Sequence, residues 1–390
     1  MQETSPRPGR PLRVLSIAHS AVSRDTGRLR YVPFAKRDDL EVHLVGPERW
    51  YQFGRWLHAD PVGDLPVKTH ILPIRLPNGG PASWYLHYYP GLKRLIAELQ
   101  PDVIHLWEEP WSVVAMQALR HRGKAALVLE VDQNILKHLP FPFEPMRRFV
   151  LRRTDAILSR SEHATEVCRA CEYTGPALPI GYGVDAETYY SLPRPPRAPD
   201  AGLHLGYCGR LVIEKGLDDC LDAMAQGPAN VTLAIKGEGP YEAALKARVT
   251  ALGLESRVTF EGWGSAIEVA NFFRSLDASI LLTRTTATVR EQFGRAIIES
   301  QGCGVPVIGT TCGAIAEVIG PGGWVVPESD PKALIACFKA ILGDPASIAA
   351  KGEAGITNVR DRFTYDAVAR DLANAWFAAR AHRDQILKGR

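Results

Sequence analysis

The chain has 390 residues, a formal net charge of +3, and hydrophobic and charged fractions of 46% and 23%. This length exceeds the size at which one hydrophobic core usually keeps growing, so we expect two domains. The composition and the near-neutral charge argue against a disordered chain and against nucleic-acid binding, and they are typical of a soluble enzyme or binding protein.

The cysteine pattern and the apolar runs favour a cytoplasmic location. The run at residues 14–18 is too short for the core of a signal peptide, and no apolar stretch reaches membrane-spanning length. The seven cysteines are an odd number and do not form the pattern of a disulfide framework. Cys168 and Cys171 have the spacing of a redox or half-zinc motif, but no second such pair accompanies them, so we interpret the spacing as incidental.

Short apolar segments alternate with helical patterns along the chain. The predicted strands lie at residues 13–18, 41–45, 103–106, 126–131, 156–159, 205–208, 232–236, 258–261, 278–282, 305–308 and 323–326. This alternation predicts βαβ units and parallel sheets. The predicted fold class is α/β, with two facing Rossmann-like, doubly wound parallel-sheet domains and a cleft between them in which ligands would bind.

A proline-rich stretch at residues 191–202 predicts a stiff connector between the domains, because proline excludes both helix and central strand there. The predicted domains are therefore residues 1–190 and residues 203–365. Apolar positions at helical spacing predict a last helix at 366–390, which could pack back on the N-terminal domain.

In the first half, a loop after the third predicted strand carries Glu108 and Glu109 beside Trp107 and Trp111. Tryptophan faces and carboxylates both suit a hydroxyl-rich ligand such as a sugar. The alternative, that the tryptophans only complete the core, stays equally open. We interpret His105 as a histidine whose hydrogen bonds are satisfied within the sheet.

Two segments of the first half mix aromatic and basic residues, as a membrane-surface element would. They are residues 141–153 and residues 84–94. A lipid-linked ligand would explain both, and membrane contact would then be peripheral and weakened by salt. That the apolar residues of 141–153 lie in the core beneath an ordinary helix is an equally open interpretation.

The second half places cations at the end of a predicted strand. Gly209 and Arg210 follow the strand at 205–208, and Lys215 comes five positions after Arg210. An arginine and a lysine at one strand-to-helix turn can hold a diphosphate, although an isolated pair of this kind is more often a surface turn. Gly237, after the next strand, allows close backbone approach.

Two glutamates mark the last candidate segment. Glu291 and Glu299 are eight positions apart, which on one helix would leave them roughly 80° apart in projection. Glu291 is therefore expected in the loop before the helix, where backbone N–H groups of Phe293 and Gly294 would form an anion site. Carboxylates flanking such a site suit the hydroxyls of a sugar or ribose.

Taken in order, these segments resemble the nucleotide-sugar half of family 4 retaining glycosyltransferases of the GT-B fold. The resemblance rests on residues 209–216, 236–240, 257–262 and 291–299, the last of which match the family's E-x7-E signature in full. It covers residues 205–342 strongly and extends more loosely to the first half.

The resemblance implies roles for individual residues. Arg210 and Lys215 would bind the donor diphosphate and stabilise the leaving group, and Glu291 would contact the transferred sugar, which makes these three the candidate catalytic residues. Glu299 would hold the ribose hydroxyls. The implied donor-binding set is Gly209, Arg210, Lys215, Gly237, Gly262, Trp263, Glu291, Phe293, Gly294 and Glu299.

The same resemblance implies transfer with retention from a nucleotide diphosphate sugar to a glycan, lipid-linked or small-molecule acceptor. The departing phosphate would take the acceptor's proton. The chain contains no Asp-x-Asp, so we expect metal independence, and no cofactor besides a UDP- or GDP-sugar as substrate. Glycoside hydrolysis also uses two carboxylates, but it needs no diphosphate clamp.

The first half departs from the family pattern, because the histidine that often follows its fourth main strand is missing. Asp132, Gln133 or Asn134 could replace its hydrogen bond, and the altered loop after the first strand carries Ser20. With Glu108 and Glu109, these are the candidate acceptor-side residues. Two other functions stay open, a GT-B nucleotide-sugar epimerase and a non-catalytic nucleotide-sugar-binding protein.

Overall fold

The computed structural model describes residues 10–52, 55–63, 65–76, 83–193 and 201–389. The chain divides into two compact units, Met1–Gly181 with Tyr365–Arg390, and Tyr182–Thr364. Each unit is built around its own parallel sheet and has its own apolar core. Two Rossmann-like parallel sheets were predicted, and the fold class is confirmed.

The first unit contains a seven-stranded sheet and a small hairpin. Its strands are β1 (Leu12–Ala18), β2 (Leu40–Pro47), β3 (Arg49–Gln52), β4 (Arg55–His58), β5 (Lys68–Leu72), β6 (Val103–Trp107), β7 (Ala126–Val131), β8 (Ala156–Ser159) and β9 (Ala177–Pro179). The sheet order is β5-β2-β1-β6-β7-β8-β9, and all its pairs are parallel. The order reverses between β1 and β6, and in open α/β sheets such a switch point opens a crevice at the carboxyl ends of the strands.

Helices connect these strands. They are α1 (Ser83–Leu86), α2 (Leu92–Leu99), α3 (Val113–His121), α4 (Phe143–Leu151) and α5 (Glu162–Ala170). Serine side chains cap two of them, because the Oγ atom of Ser112 accepts from the N–H of Ala115 and that of Ser161 from the N–H of Ala164. Short 3-10 and π turns fill the connection from β1 to β2.

The second unit contains a six-stranded sheet of β10 (Leu203–Cys208), β11 (Val231–Lys236), β12 (Val258–Glu261), β13 (Ala278–Leu281), β14 (Val307–Thr310) and β15 (Gly323–Val326). The order is β12-β11-β10-β13-β14-β15, again all parallel, with a switch point between β10 and β13. The helices of this unit are α6 (Leu217–Gln226), α7 (Glu242–Ala251), α8 (Ala266–Arg274), α9 (Arg295–Gly302), α10 (Ile315–Ile319), α11 (Pro331–Gly343) and α12 (Ala346–Arg362).

The last helix, α13 (Tyr365–Lys388), returns to the first unit. Its Trp376 is fully buried, and the ring lies 4.8 Å from that of Phe34 and 5.4 Å from that of His105. Arg380 adds a 3.6 Å ion pair to Asp102. Burial of this apolar face holds α13 against the first sheet.

The domain boundary differs from the prediction. Residues 182–190, which the sequence analysis assigned to the first domain, belong to the second unit, because Tyr189 packs in that unit's core and Val184 forms a bridge to Thr364. Within the predicted connector at 191–202, residues 194–200 lie outside the described residues.

Among the described residues, no single helix is long and apolar enough to span a membrane. One pair, α11 with α12, passes on combined length and composition but is bent by 102°.

Candidate functional site

Two glycine turns meet at the carboxyl edge of the second sheet. Gly209 follows β10 with φ of +156°, and Gly237 follows β11 with φ of +144°. A Cβ atom on Gly237 would lie 1.9 Å from the carbonyl oxygen of Gly209, so only glycine fits there. This close approach places Arg210, the residue after the first turn, at the exposed edge of the sheet.

Lys215 and Glu291 form an ion pair beside this turn. Lys215 ends a short 3-10 turn, and its Nζ atom lies 2.6 Å from Oε2 of Glu291. The hydroxyl of Thr283, which follows β13, donates to the same oxygen at 2.7 Å. Because β10 and β13 flank the switch point, the pair lies where an α/β sheet binds ligands. The side chains are 20% and 14% exposed, so a ligand could reach both.

Glu291 lies in the loop before α9, as predicted. Its carbonyl oxygen accepts a 3.1 Å hydrogen bond from the N–H of Ala314, which fixes the loop. Gly294 is the N-cap of α9 and has φ of +81°, a conformation that favours glycine. The ring of Phe293 is buried edge-on against those of Tyr182 and Phe363, so only the backbone of Phe293 could face a ligand.

Glu299 lies on α9, and its Oε1 atom accepts a 3.0 Å hydrogen bond from Nε of Arg295. Burial raises the pKa of this carboxyl, and the charge of Arg295 only partly offsets that effect. The charge of Glu299 also adds to burial in raising the pKa of the Cys208 thiol, at the end of β10, to about 12.

A hollow of about 500 Å³ opens at the carboxyl ends of β11 and β12. Its lining residues are Gly237, Glu238, Gly239, Glu242, Lys246, Phe260, Glu261 and Gly262. The neighbouring Trp263 is 66% exposed, and its backbone N–H donates to Oε1 of Glu238 at 3.4 Å. An aromatic ring of modest size would fit this space.

In the first unit, the predicted polar residues follow β1, β6 and β7. Oε1 of Glu109 accepts hydrogen bonds from the N–H groups of Asp132 and Gln133, at 3.0 and 2.9 Å. Burial, together with the charge of Asp132, raises the pKa of Glu109 to about 8. The carboxylate of Asp132 accepts from Nε of Arg160 at 2.9 Å.

Beneath this edge lies a buried ion cluster. Arg30 and Arg160 both bind the carboxylate of Glu130, and all three side chains are almost completely buried. Their guanidinium groups lie 4.5 and 4.9 Å from the centre of the Trp107 indole. His105 lies in the sheet interior, with Nδ1 2.8 Å from the Ser16 hydroxyl and Nε2 3.1 Å from Oε1 of Glu130. Among the described residues Nε2 has no hydrogen-bond partner, so the interpretation as a satisfied histidine holds for Nδ1 alone.

Comparison with known proteins decides the family. The model for glycosyltransferase family 4 matches residues 34–188, and the model for glycosyl transferases group 1 matches residues 193–358. This chain is a family 4 glycosyltransferase.

Individual relatives agree with this assignment. The lipopolysaccharide core biosynthesis mannosyltransferase LpsB of Rhizobium meliloti is 26% identical over 73% of this chain and 86% of its own length. A GDP-mannose-dependent phosphatidylinositol dimannoside mannosyltransferase of Mycobacterium tuberculosis is 30% identical, but the match covers only 43% of this chain and 44% of the relative. The crystal structure of Anabaena Alr3699/HepE with UDP and glucose has a TM-score of 0.65 over 93% of this chain and 98% of its own, at 20% identity, which supports the fold.

The glycosyltransferase brings its predicted donor-side residues to one sheet edge. Gly209, Arg210, Gly237 and the Lys215–Glu291 pair lie at or beside the carboxyl ends of β10, β11 and β13, and Glu299 lies on the following helix α9. Within the part of the chain that the structure describes, no group of three or more His, Cys, Asp or Glu side chains is arranged to hold a metal ion. Metal independence stays a prediction.

The candidate acceptor-side residues are less accessible than expected. Glu108 and Asn134 are buried, and the Ser20 hydroxyl is buried without a hydrogen-bond partner among the described residues. Thr283 and His19 were not among the predicted site residues. His19 directly follows β1 and Thr283 lies two residues after β13, and a polar residue close to the carboxyl end of an interior strand is the signal that could have indicated them.

Proposed function

We propose that this glycosyltransferase moves a hexosyl group from a nucleoside diphosphate sugar to a hydroxyl of a glycan or lipid-linked acceptor, with retention and without a metal ion. The observation that carries the proposal is the Lys215–Glu291 pair at the switch point of the second sheet. At this edge a cation can bind a diphosphate while the neighbouring carboxylate accepts hydrogen bonds from the hydroxyls of a sugar.

The donor would extend across the edge of the second sheet. Cleavage of the sugar–phosphate bond leaves growing negative charge on the diphosphate, which Lys215 and Arg210 would stabilise. Glu291 would turn from Lys215 to the hydroxyls of the transferred sugar, and Glu299 would accept from the ribose. The hollow at β11 and β12 would take the base of a UDP- or GDP-sugar, and the name of the Mycobacterium tuberculosis relative supports GDP.

The acceptor is inferred to be a glycan or glycolipid. The Rhizobium meliloti relative is named for lipopolysaccharide core biosynthesis, and the Mycobacterium tuberculosis relative for a phosphatidylinositol dimannoside. Both are named mannosyltransferases, and both names contain a molecule that joins sugar to lipid. The carboxyl edge of the first sheet, with Asp132 and Gln133, is the proposed acceptor side.

A lipid-linked acceptor would bring the enzyme to the inner face of a membrane. Phe141 is 88% exposed, Phe149 is 38% exposed, and the guanidinium of Arg153 lies over the Phe149 ring. Such a surface suits peripheral contact with a membrane, although Arg148 and Arg152 are partly neutralised by Glu172.

Co-sedimentation with phosphatidylglycerol vesicles tests this membrane contact. The Phe141→Ala/Arg153→Ala double variant should bind the vesicles less than the wild type does, and salt should weaken the binding of the wild type.

Calorimetric titration with UDP, GDP and ADP is the first test of the proposed function. Binding of UDP or GDP should be unchanged by EDTA, and both Lys215→Ala and Glu299→Ala should weaken it. Turnover of the matching donor sugar with an acceptor panel should give a product whose anomeric configuration, measured by NMR, is that of the donor. Epimerised free nucleotide sugar would indicate the epimerase instead, and binding without turnover would indicate a non-catalytic protein.

A further inference from the structure

His19 is held in a fixed orientation at the switch point of the first sheet. It follows β1, while Glu108 follows β6, and the sheet order reverses between these two strands. Oε1 of Glu108 lies 3.1 Å from the backbone nitrogen of His19 and 3.0 Å from its Nδ1. Two bonds to one carboxylate oxygen fix both the backbone and the ring.

The carboxylate determines which ring nitrogen carries a proton. Burial alone would raise the pKa of Glu108, but His19 and His87 hold it at about 2, so the group is ionised. A carboxylate can only accept, so Nδ1 of His19 donates. Among the described residues no group hydrogen-bonds to Nε2, and the side chain keeps 15% of its surface exposed. Nε2 is therefore the atom available to a ligand.

Tryptophans form the walls around this imidazole. The buried indole of Trp50 stacks on it at 4.8 Å, and the indole of Trp84 meets it edge-on at 5.2 Å. Trp84 itself is 45% exposed. An exposed indole beside an oriented hydrogen-bonding atom is suited to a sugar ring, whose C–H face stacks on the indole while a hydroxyl bonds to the nitrogen.

We propose that His19 and Trp84 form an acceptor subsite in which Nε2 of His19 binds a sugar hydroxyl and Trp84 supports the ring. Glu108 is the positioning residue, and no proton is removed by His19. The hydroxyl can either donate or accept, so it binds the neutral and the protonated imidazole. This inference deepens the proposed function, because it identifies where that enzyme holds the acceptor sugar.

Two substitutions separate ligand binding from a structural role. His19→Asn keeps an amide near the Nδ1 position, facing Glu108, but removes the atom at the Nε2 position. His19→Gln keeps a polar group near Nε2 and loses the one near Nδ1. We expect His19→Asn to raise the acceptor KM about three- to tenfold, with kcat unchanged and a smaller effect in His19→Gln. If the role were structural, His19→Asn would instead be the milder variant, and this result would overturn the proposal.

Substitutions of Trp84 and of a distant histidine complete the set of variants. Trp84→Ala should raise the acceptor KM, and Trp84→Phe should largely restore it, because the aromatic face is retained. His121→Gln is the matched control, since His121 ends α3, which runs back from the carboxyl end of β6 toward the opposite edge of the sheet. The control should behave as wild type.

The probes are octyl α-mannoside, octyl β-glucoside and octyl β-galactoside. Transfer is measured with whichever of these glycosides saturates the enzyme. Saturation-transfer NMR measures the binding of all three glycosides to every variant. Binding that is weakened in His19→Asn and Trp84→Ala, but unchanged in His121→Gln, is the expected result. Binding of none of the three to the wild type would overturn the subsite. All these variants should bind UDP and GDP with the affinity of the wild type. If the wild type itself bound neither nucleotide, the proposed function would fail, but the acceptor subsite would still be tested by the octyl glycosides.

Discussion

The Nζ atom of Lys215 lies 2.6 Å from Oε2 of Glu291, although 76 positions separate the two residues in the sequence. In this state the lysine is already neutralised by a carboxylate that also accepts from Thr283. Under the proposed function, a donor diphosphate would compete with Glu291 for the lysine, and its arrival would release the carboxylate toward the sugar.

This competition predicts different effects of substituting the two residues on donor turnover and nucleotide binding. Lys215→Ala should lower kcat/KM for the donor about 100- to 1,000-fold, because a preorganised cation is lost from the leaving group. Glu291→Gln should transfer more slowly but bind free UDP or GDP at least as tightly, since the lysine no longer has a charged competitor. Initial rates and calorimetry measure both, with the exposed Lys339→Ala as control. Weaker nucleotide binding by Glu291→Gln would contradict the competition.

Glu299 should make donor binding sensitive to pH. Burial raises its pKa, so the carboxylate is protonated at a higher pH than an ordinary glutamate. Donor affinity should fall as the pH drops through this raised pKa, because the protonated group accepts ribose hydrogen bonds less well. Glu299→Gln should bind about ten- to a hundredfold more weakly at neutral pH and lose this acidic limb. Titration across the acidic range checks it, and an unchanged limb in Glu299→Gln would assign the effect to another group.

Gly237 should be required for the stability of the second unit. A Cβ at this position meets the Gly209 carbonyl at 1.9 Å, and φ is +144°. We expect Gly237→Ala to lower the free energy of unfolding by about 2–3 kcal/mol. Gly343, at the end of α11, has nothing within 4 Å of an added Cβ, so Gly343→Ala should change stability by less than about 0.5 kcal/mol. Urea denaturation compares the two, and equal midpoints would refute the close-contact argument.

Glu109 should make the first unit less stable as the pH rises. Its folded-state pKa is about 8, whereas an exposed glutamate titrates near about 4.3. Between these values the folded chain keeps a proton that the unfolded chain has released, so the free energy of unfolding falls from about pH 5 to about pH 8. Glu109→Gln, which mimics the protonated group, should remove this slope. Thermal unfolding at a series of pH values measures it, and equal slopes in both proteins would exclude Glu109 as the cause.

Several features were predictable because they depend on local patterns. The strand at 126–131 is an unbroken apolar run apart from Glu130, and it forms the interior strand β7, as expected for a parallel strand buried on both faces. The loop position of Glu291 followed from helical geometry alone. The first domain's end was not predictable in the same way, because residues 182–190 pack on a core assembled from elements far along the chain.

By itself, the sequence determined the fold class and the family, because these are set by periodicity and by motifs in which each residue acts near its neighbours. Only the tertiary structure decided which side chains meet. The order of the strands brings Lys215 to Glu291 and His19 to Glu108, and packing encloses Glu108 while 15% of the His19 side chain stays exposed. Parallel sheets gather residues from the ends of distant strands, so these contacts depend on strand order and burial, which no local pattern contains.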